Sequence, residues 1–186
     1  MLKTRGMLLI SKQRYLDIFG FPVQDYYLAL GFDFSTEPFE TISTEFITAY
    51  EQGRPNCFLM KGSKEILSLI SSHGISQSIL SASKSSYLKQ AVVAHDIQDQ
   101  FTSIHGLDNH HAAGKLSLAR EYMAAYPMNP ASVLLVGDTI HDAEIAIDLG
   151  INCILVPNGH QSRKRLSATG IPLSESLNVL YSSLKG

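Results

Sequence analysis

Apolar positions recur along this 186-residue chain in two different rhythms, and the change falls near residue 55. Before it, the apolar runs are helical. "SKQRYLDIF" can start at Ser11 as N-cap, and Gly20-Phe21-Pro22 stops it. "PVQDYYLALG" has Pro22 near its first turn and Gly31 past its end, the asymmetry helices favour. "EPFETISTEFITAYEQG" places Phe39, Ile42, Phe46, Ile47 and Tyr50 at helical spacing and ends at Gly53. "GRPN" reads as a linker.

From Pro55 on, strands and helices alternate. Residues 64–73 are helical and are closed by Gly74, "QSILSAS" is a short strand, and "SSYLKQAVVAHD" is helical. "FTSIHGLD" is a weak strand and "AGKLSLAREYMAAY" a strong helix. "SVLLVGD" reads as a buried strand, 142–149 as a helix, "NCILVP" as another strand, and 174–184 as a last helix. Such alternation predicts an α/β fold: a parallel sheet with helices on both faces. Ligands of such sheets gather at the carboxyl ends of the strands.

The composition suits one good core, or a core plus a small appendage: 45% of residues are hydrophobic. A net charge of -2 leaves no basic stripe for nucleic acid or a membrane surface. Met7–Ile10 is the only apolar run near the N-terminus, too short for a signal peptide, and nothing approaches the ~18 apolar residues of a membrane span. Cys57 and Cys153 sit in apolar surroundings and are expected to be reduced and buried, in a cytoplasmic protein.

Three polar features fall at strand ends. Gly137-Asp138 with Asp142 puts one carboxylate at the mouth of a strand and another one turn into the next helix. Two such oxygens suit a hard cation such as Mg²⁺; a helix cap with a first-turn acid has the same spacing. At Ser81, a hydroxyl and the backbone N–H groups that follow, from Ala82 on, can hold a phosphoryl oxygen; a run of serines capping a helix looks alike. Lys115 opens a helix, where it can neutralise a phosphate, orient a carboxylate, or simply be solvated.

Other features read as less chemical. His105, His110 and His111 have no cysteine beside them and read as solvated loop histidines. His160, Arg163, Lys164 and Arg165 read as a solvated helix start. Phe21, Tyr26 and Tyr27, at helical spacing, read as core.

Taken in order, Ser81, Lys115 and "LLVGDTIHDAEIA", each at a helix start, resemble the haloacid dehalogenase-like hydrolases, in their phosphoglycolate-phosphatase-like branch with a helical cap. "SILSAS" resembles that family's second motif, Lys115 the lysine of its third, and Asp138 and Asp142 the metal ligand and supporting acid of its fourth. "RYLDIFGFPVQDYYLALGFD" resembles the cap helices. The resemblance implies a cap over residues 1–55 and a Rossmann-like core over 56–186. It also implies Mg²⁺, a small phosphorylated metabolite as substrate, and phosphoryl transfer through an aspartyl-phosphate. Ser81, Ala82 and Lys115 would then hold the phosphate, and Asp138 and Asp142 would form the metal site.

The family's first motif, an apolar strand ending in D-x-D-G-T that carries the nucleophile, is missing. Asp33 in "GFDFSTEP" is a weak substitute: the second acid is Ser35, and no glycine precedes Thr36. The missing strand would lie between those leading to Ser81 and Asp138. Those two must then pair directly, leave a gap, or borrow a strand, and exposed edges invite self-association. A truncated gene product or mis-set start codon is the expectation, which an upstream in-frame motif would support. The chain therefore reads as a phosphatase by family with little activity of its own; the alternative is a non-catalytic phosphate- or partner-binding protein. A phosphoacceptor signalling domain would need an acidic cluster near its first strand, which is absent.

Overall fold

A computed structural model describes residues 1–107 and 114–185. Up to residue 56 the regular elements are helical. A 3₁₀ turn at Lys3–Arg5 leads to α1 (Lys12–Ile18), α2 (Val23–Leu30) and α3 (Phe39–Gly53). Ser11 caps α1, its hydroxyl oxygen accepting from the Arg14 N–H at 3.1 Å. Gly31 ends α2 in the left-handed region, at φ 95°. One face of α3 buries Ile42 completely against Tyr27 and Phe32, with Tyr26, Leu30, Phe34 and Phe39 packed around them. Arg5 locks the N-terminal turn to this cluster, donating to Glu37 at 2.7 and 2.5 Å and to Glu45 at 2.5 Å. Phe46, Ile47 and Tyr50 stay exposed, because the apolar stripe of α3 is wider than the helices packed on it.

The alternating part contains α4 (Ser63–Ser72), β1 (Ser78–Lys84), α5 (Ser85–Ala94), β2 (Ser103–Leu107) and α6 (Gly114–Ala125). It continues with β3 (Leu134–Gly137), α7 (Ile140–Leu149), β4 (Asn152–Leu155), α8 (Arg163–Ser167) and α9 (Leu177–Lys185). All strand pairing is parallel. β1 pairs β2 from Ser78↔Ser103 to Leu80↔His105, then shifts register before Lys84↔Leu107. β3 pairs β4 from Leu134↔Asn152 to Gly137↔Leu155, and Leu155 also bridges Leu173. Among the described residues no ladder joins β1 to β3. The described strands thus form two separate two-stranded sheets.

Side chains alternate across a strand, so β3 has two unlike faces. Leu135 packs with Ala143 and Ala146 of α7, Cys153 and Leu155 of β4, and Leu166 of α8. Leu134 and Val136 point the other way and are 45% and 42% exposed. This corrects the expectation of a fully buried strand: α7 and its neighbours cover one face alone. α6 lies on β1 and β2 and against α7.

Three further expectations change. Cys153 is buried, but Cys57 is exposed, directly after the 3₁₀ turn Arg54–Asn56; both thiols are free. Phe21 is exposed rather than core, since it lies between α1 and α2 with its ring 5.9 Å from that of His141. His105 is a strand residue, half-buried, with the Tyr122 ring at 4.8 Å and the Tyr126 ring at 6.3 Å; His110 and His111 lie outside the described residues. No described helix is long and apolar enough to cross a membrane.

Replacing Ile42 by Ala should lower the unfolding free energy by about 2–5 kcal/mol, the range for deleting a fully buried isoleucine side chain. Ile47→Ala, on the exposed side of the same helix, should change it by less than about 1 kcal/mol. Urea melts of the two variants check the burial pattern.

Candidate active site

The site grows from the end of β3. Thr139 is the N-cap of α7, and Asp142 completes a capping box three residues on. The Thr139 hydroxyl accepts from the Asp142 N–H at 3.3 Å. In return, Asp142 Oδ2 accepts from the Thr139 N–H at 3.0 Å, its hydroxyl at 2.7 Å, and the Asp138 N–H at 3.0 Å. The other oxygen, Oδ1, takes the Lys115 ammonium from the first turn of α6. Asp142 is therefore buried and bonded through both oxygens. Burial alone would raise its pKa, but Lys115 and the hydrogen bonds from Thr139 and the Asp138 N–H outweigh that and hold it below the ordinary value. The same buried charge reaches Cys153, whose thiol is pushed up to about 11 by burial first and then by Asp142.

Two glycines make room for this. A Cβ at Gly137 would lie 2.4 Å from Asp142 Cβ, and one at Gly159 would lie 1.5 Å from Asp138 Oδ2. The glycine of G-D-x-x-x-D is thus a space requirement of its second aspartate. Asp138 itself is half-buried. Its Oδ2 accepts from the His160 N–H at 3.2 Å, and its Oδ1 has no hydrogen bond among the described residues.

Of the other sequence candidates, Ser81 lies inside β1 where the regular ladder stops, four residues before α5, so it does not start a helix. Its oxygen accepts from the Ser83 N–H at 3.1 Å. The described hydrogen bonds include none from Ser81 to Lys115, Asp138 or Asp142. Ala82 is exposed beside it. Asp33 lies in the turn after α2, accepting from the Ser35 N–H at 2.9 Å and hydroxyl at 2.6 Å. Those bonds lower its pKa, and no described hydrogen bond or ion pair links it to Asp138.

Arg163 and Lys164 are exposed at the start of α8, the solvated helix start that their charges suggested, but His160, Gln161, Ser162 and Arg165 make contacts with the helical part. His160 packs its ring 4.8 Å from that of Phe19, and its Nδ1 meets the Tyr15 hydroxyl. Gln161 is buried; its Oε1 accepts from the Ile140 N–H at 2.7 Å and its Nε2 donates to the Phe19 carbonyl at 3.2 Å. Arg165 also donates to the Phe19 carbonyl, and the Ser162 N–H donates to that of Leu16 at 3.0 Å. Together they clamp the end of α1 beside Asp138. Burial, with Tyr26 and Asp138 adding, pushes the Tyr15 hydroxyl up to about 12. One signal could have found them: they follow the carboxyl end of β4, as Asp138 follows that of β3. Arg163 lies in an exposed pair with Glu175.

The family model for haloacid dehalogenase-like hydrolases matches residues 1–156. The chain belongs to that family. A haloacid dehalogenase-like family hydrolase from Streptococcus pneumoniae matches 98% of this chain and 86% of its own, with 16% identity and a TM-score of 0.82. Protein tyrosine kinase A of Mycobacterium tuberculosis matches 100% and 87%, with 18% identity and a TM-score of 0.78. A predicted phosphatase from Clostridium acetobutylicum matches 67% of this chain, 19% identical with a TM-score of 0.63, and the match spans 59% of that structure's length. At these identities the likeness is one of fold. No curated protein matches significantly.

Members of such a family invite a test for Mg²⁺, which takes one or two carboxylates with waters and substrate phosphate. Asp138 fits, with an open oxygen at the carboxyl end of β3. Asp142 does not offer a comparable lone pair: its Oδ2 has three donors and its Oδ1 faces an ammonium. Among the described residues no group of three or more His, Cys, Asp or Glu is placed to hold a metal.

Lys115→Met should cost about 3–5 kcal/mol, because it leaves a buried carboxylate unpaired. Thr139→Ala should cost about 1 kcal/mol as a lost N-cap. Since the folded chain holds the Asp142 carboxyl below 3.8, its stabilisation is complete above that pH and is lost as pH falls through the lower folded value. Melting temperatures across an acid pH series should show this loss in the wild type and not in Asp142→Asn.

Proposed function

We propose that the cluster of Lys115, Asp138 and Asp142 belongs to a phosphatase-type hydrolase site for a small phosphorylated metabolite in the cytoplasm, and that this chain alone turns over little. One observation carries the reading: with Asp142 committed to the capping box and Lys115, Asp138 is the one carboxylate of the cluster with a free oxygen. A phosphomonoester hydrolase of this kind needs one carboxylate to hold the cation and another to attack phosphorus. One open carboxylate cannot do both. Asp138 takes the cation in this reading, and bound Mg²⁺ would neutralise charge on the phosphoryl oxygens. Lys115, with donors to spare beyond Asp142, and the Ser81 hydroxyl with the Ala82 N–H would receive the phosphate. The fold shared with a predicted phosphatase from Clostridium acetobutylicum supports the substrate class.

The same saturation of Asp142 favours a second reading, a protein that binds a phosphorylated ligand without hydrolysing it.

An aryl phosphate assay with Mg²⁺ tests both. Turnover is expected at background, with Asp138→Asn no different, while Mg²⁺ plus phosphate raises the melting temperature of the wild type and not of Asp138→Asn. Robust turnover that Asp138→Asn abolishes would contradict the missing nucleophile, and a fall on Asp33→Asn would move the nucleophile to that residue.

A further inference from the structure

β1 and β3 each pair on one side, β1 with β2 and β3 with β4, and among the described residues no ladder joins them. β3 therefore presents an edge of unpaired N–H and C=O groups beside the uncovered side chains of Leu134 and Val136. Leu134–Gly137 is short, but it contains no charge and no proline to protect that edge. Surfaces of this kind accept an extended apolar segment as an added strand.

The chain carries a matching segment. Met7–Ile10 is four consecutive apolar residues lying outside any helix or strand. Leu8 is 90% exposed and Leu9 70%. Leu8, Leu9 and Ile10 make no backbone hydrogen bond among the described residues. Extended, four residues span about 13 Å, the length of the four-residue β3. Leu8 and Leu9 of the donor are exposed with no backbone hydrogen bond among the described residues, and the acceptor has one unpaired edge and one exposed face.

Within one copy no ladder or backbone hydrogen bond among the described residues joins the two. Met7 is held at one end, its N–H on the Leu2 carbonyl and its side chain on the cluster of Tyr27, Phe32 and Ile42. At the other end Ser11 caps α1, and the far end of α1 is clamped by residues 161–165. The segment is thus anchored where it faces solvent.

We propose that two copies of this chain associate through these surfaces, Met7–Ile10 of one copy adding as a strand along the free edge of β3 in the other. Reciprocal exchange closes a two-fold dimer and covers both exposed edges. The exchange would cover the exposed side chains of Leu134 and Val136, on the strand that leads to Asp138, and needs no other partner.

Light scattering on the purified chain should give twice the chain mass. A Leu8→Asp, Leu9→Asp double variant and Val136→Asp should each return the single mass. Phe58→Asp, which alters an apolar residue that is 92% exposed elsewhere, should leave the dimer intact. Because Val136→Asp could unfold the chain, a second experiment pairs Leu9→Cys with Val136→Cys in a Cys57→Ser background and mixes two differently tagged copies. Oxidation should give a crosslink containing both tags. A monomeric wild type, a dimer that survives the Leu8 and Leu9 substitutions, or crosslinks confined to single chains would overturn the proposal.

Discussion

The ion pair between Lys115 and Asp142 links two sheets that share no backbone ladder among the described residues. Lys115 begins α6, which lies on β1 and β2; Asp142 is in the first turn of α7, which lies on β3 and β4. A second, exposed pair between Arg120 and Asp148 runs along the same helices at 2.6 and 3.0 Å. Exposed pairs contribute little, whereas a buried one is costly to break. The buried pair therefore acts mainly as a placement device. It fixes where the end of β3 sits relative to α6, and with it the direction in which Asp138 leaves the strand. Gly137 and Gly159 follow from this, since a larger residue at either position would collide with Asp142 or Asp138.

A second layer of contacts ties the helical part to that point. The Phe19 carbonyl at the end of α1 accepts from Gln161 and Arg165, while Gln161 also accepts from the first turn of α7. Gln161 thus binds both helices, one from each part of the chain. Tyr15, Phe19 and His160 form an aromatic wall beside Asp138, whose carboxylate touches the His160 backbone. Through Tyr15 and Phe19 the helical part thus contributes aromatic rings beside Asp138.

Much of this was legible in the sequence because it rests on local signals. Ser11, Gly31 and Gly74 mark helix ends through backbone chemistry that any neighbours would leave intact. Asp138, Asp142 and Lys115 were legible as a set because strand ends and helix starts gather polar groups. What stayed hidden depends on partners distant along the chain. The apolar run before Asp138 looks like a buried strand, yet the exposure of Leu134 and Val136 depends on which elements flank it. The two carboxylates look equivalent at their spacing, yet Thr139 and Lys115 engage one and leave an oxygen of the other open. The cationic run after β4 looks solvated, yet the carbonyls that receive Arg165 lie nearly 150 residues earlier, |i−j| being 146 and 149.

The central claim is that the two aspartates have different work, Asp142 structural and Asp138 open. Carbon-detected NMR of the two side-chain carboxyls against pH and Mg²⁺ measures it directly. The account predicts that the Asp142 signal titrates below its ordinary value of 3.8 and does not move when Mg²⁺ is added at neutral pH, while the Asp138 signal does. An Asp142 signal that titrates at or above that value, or that shifts with Mg²⁺ as strongly as Asp138, would contradict it.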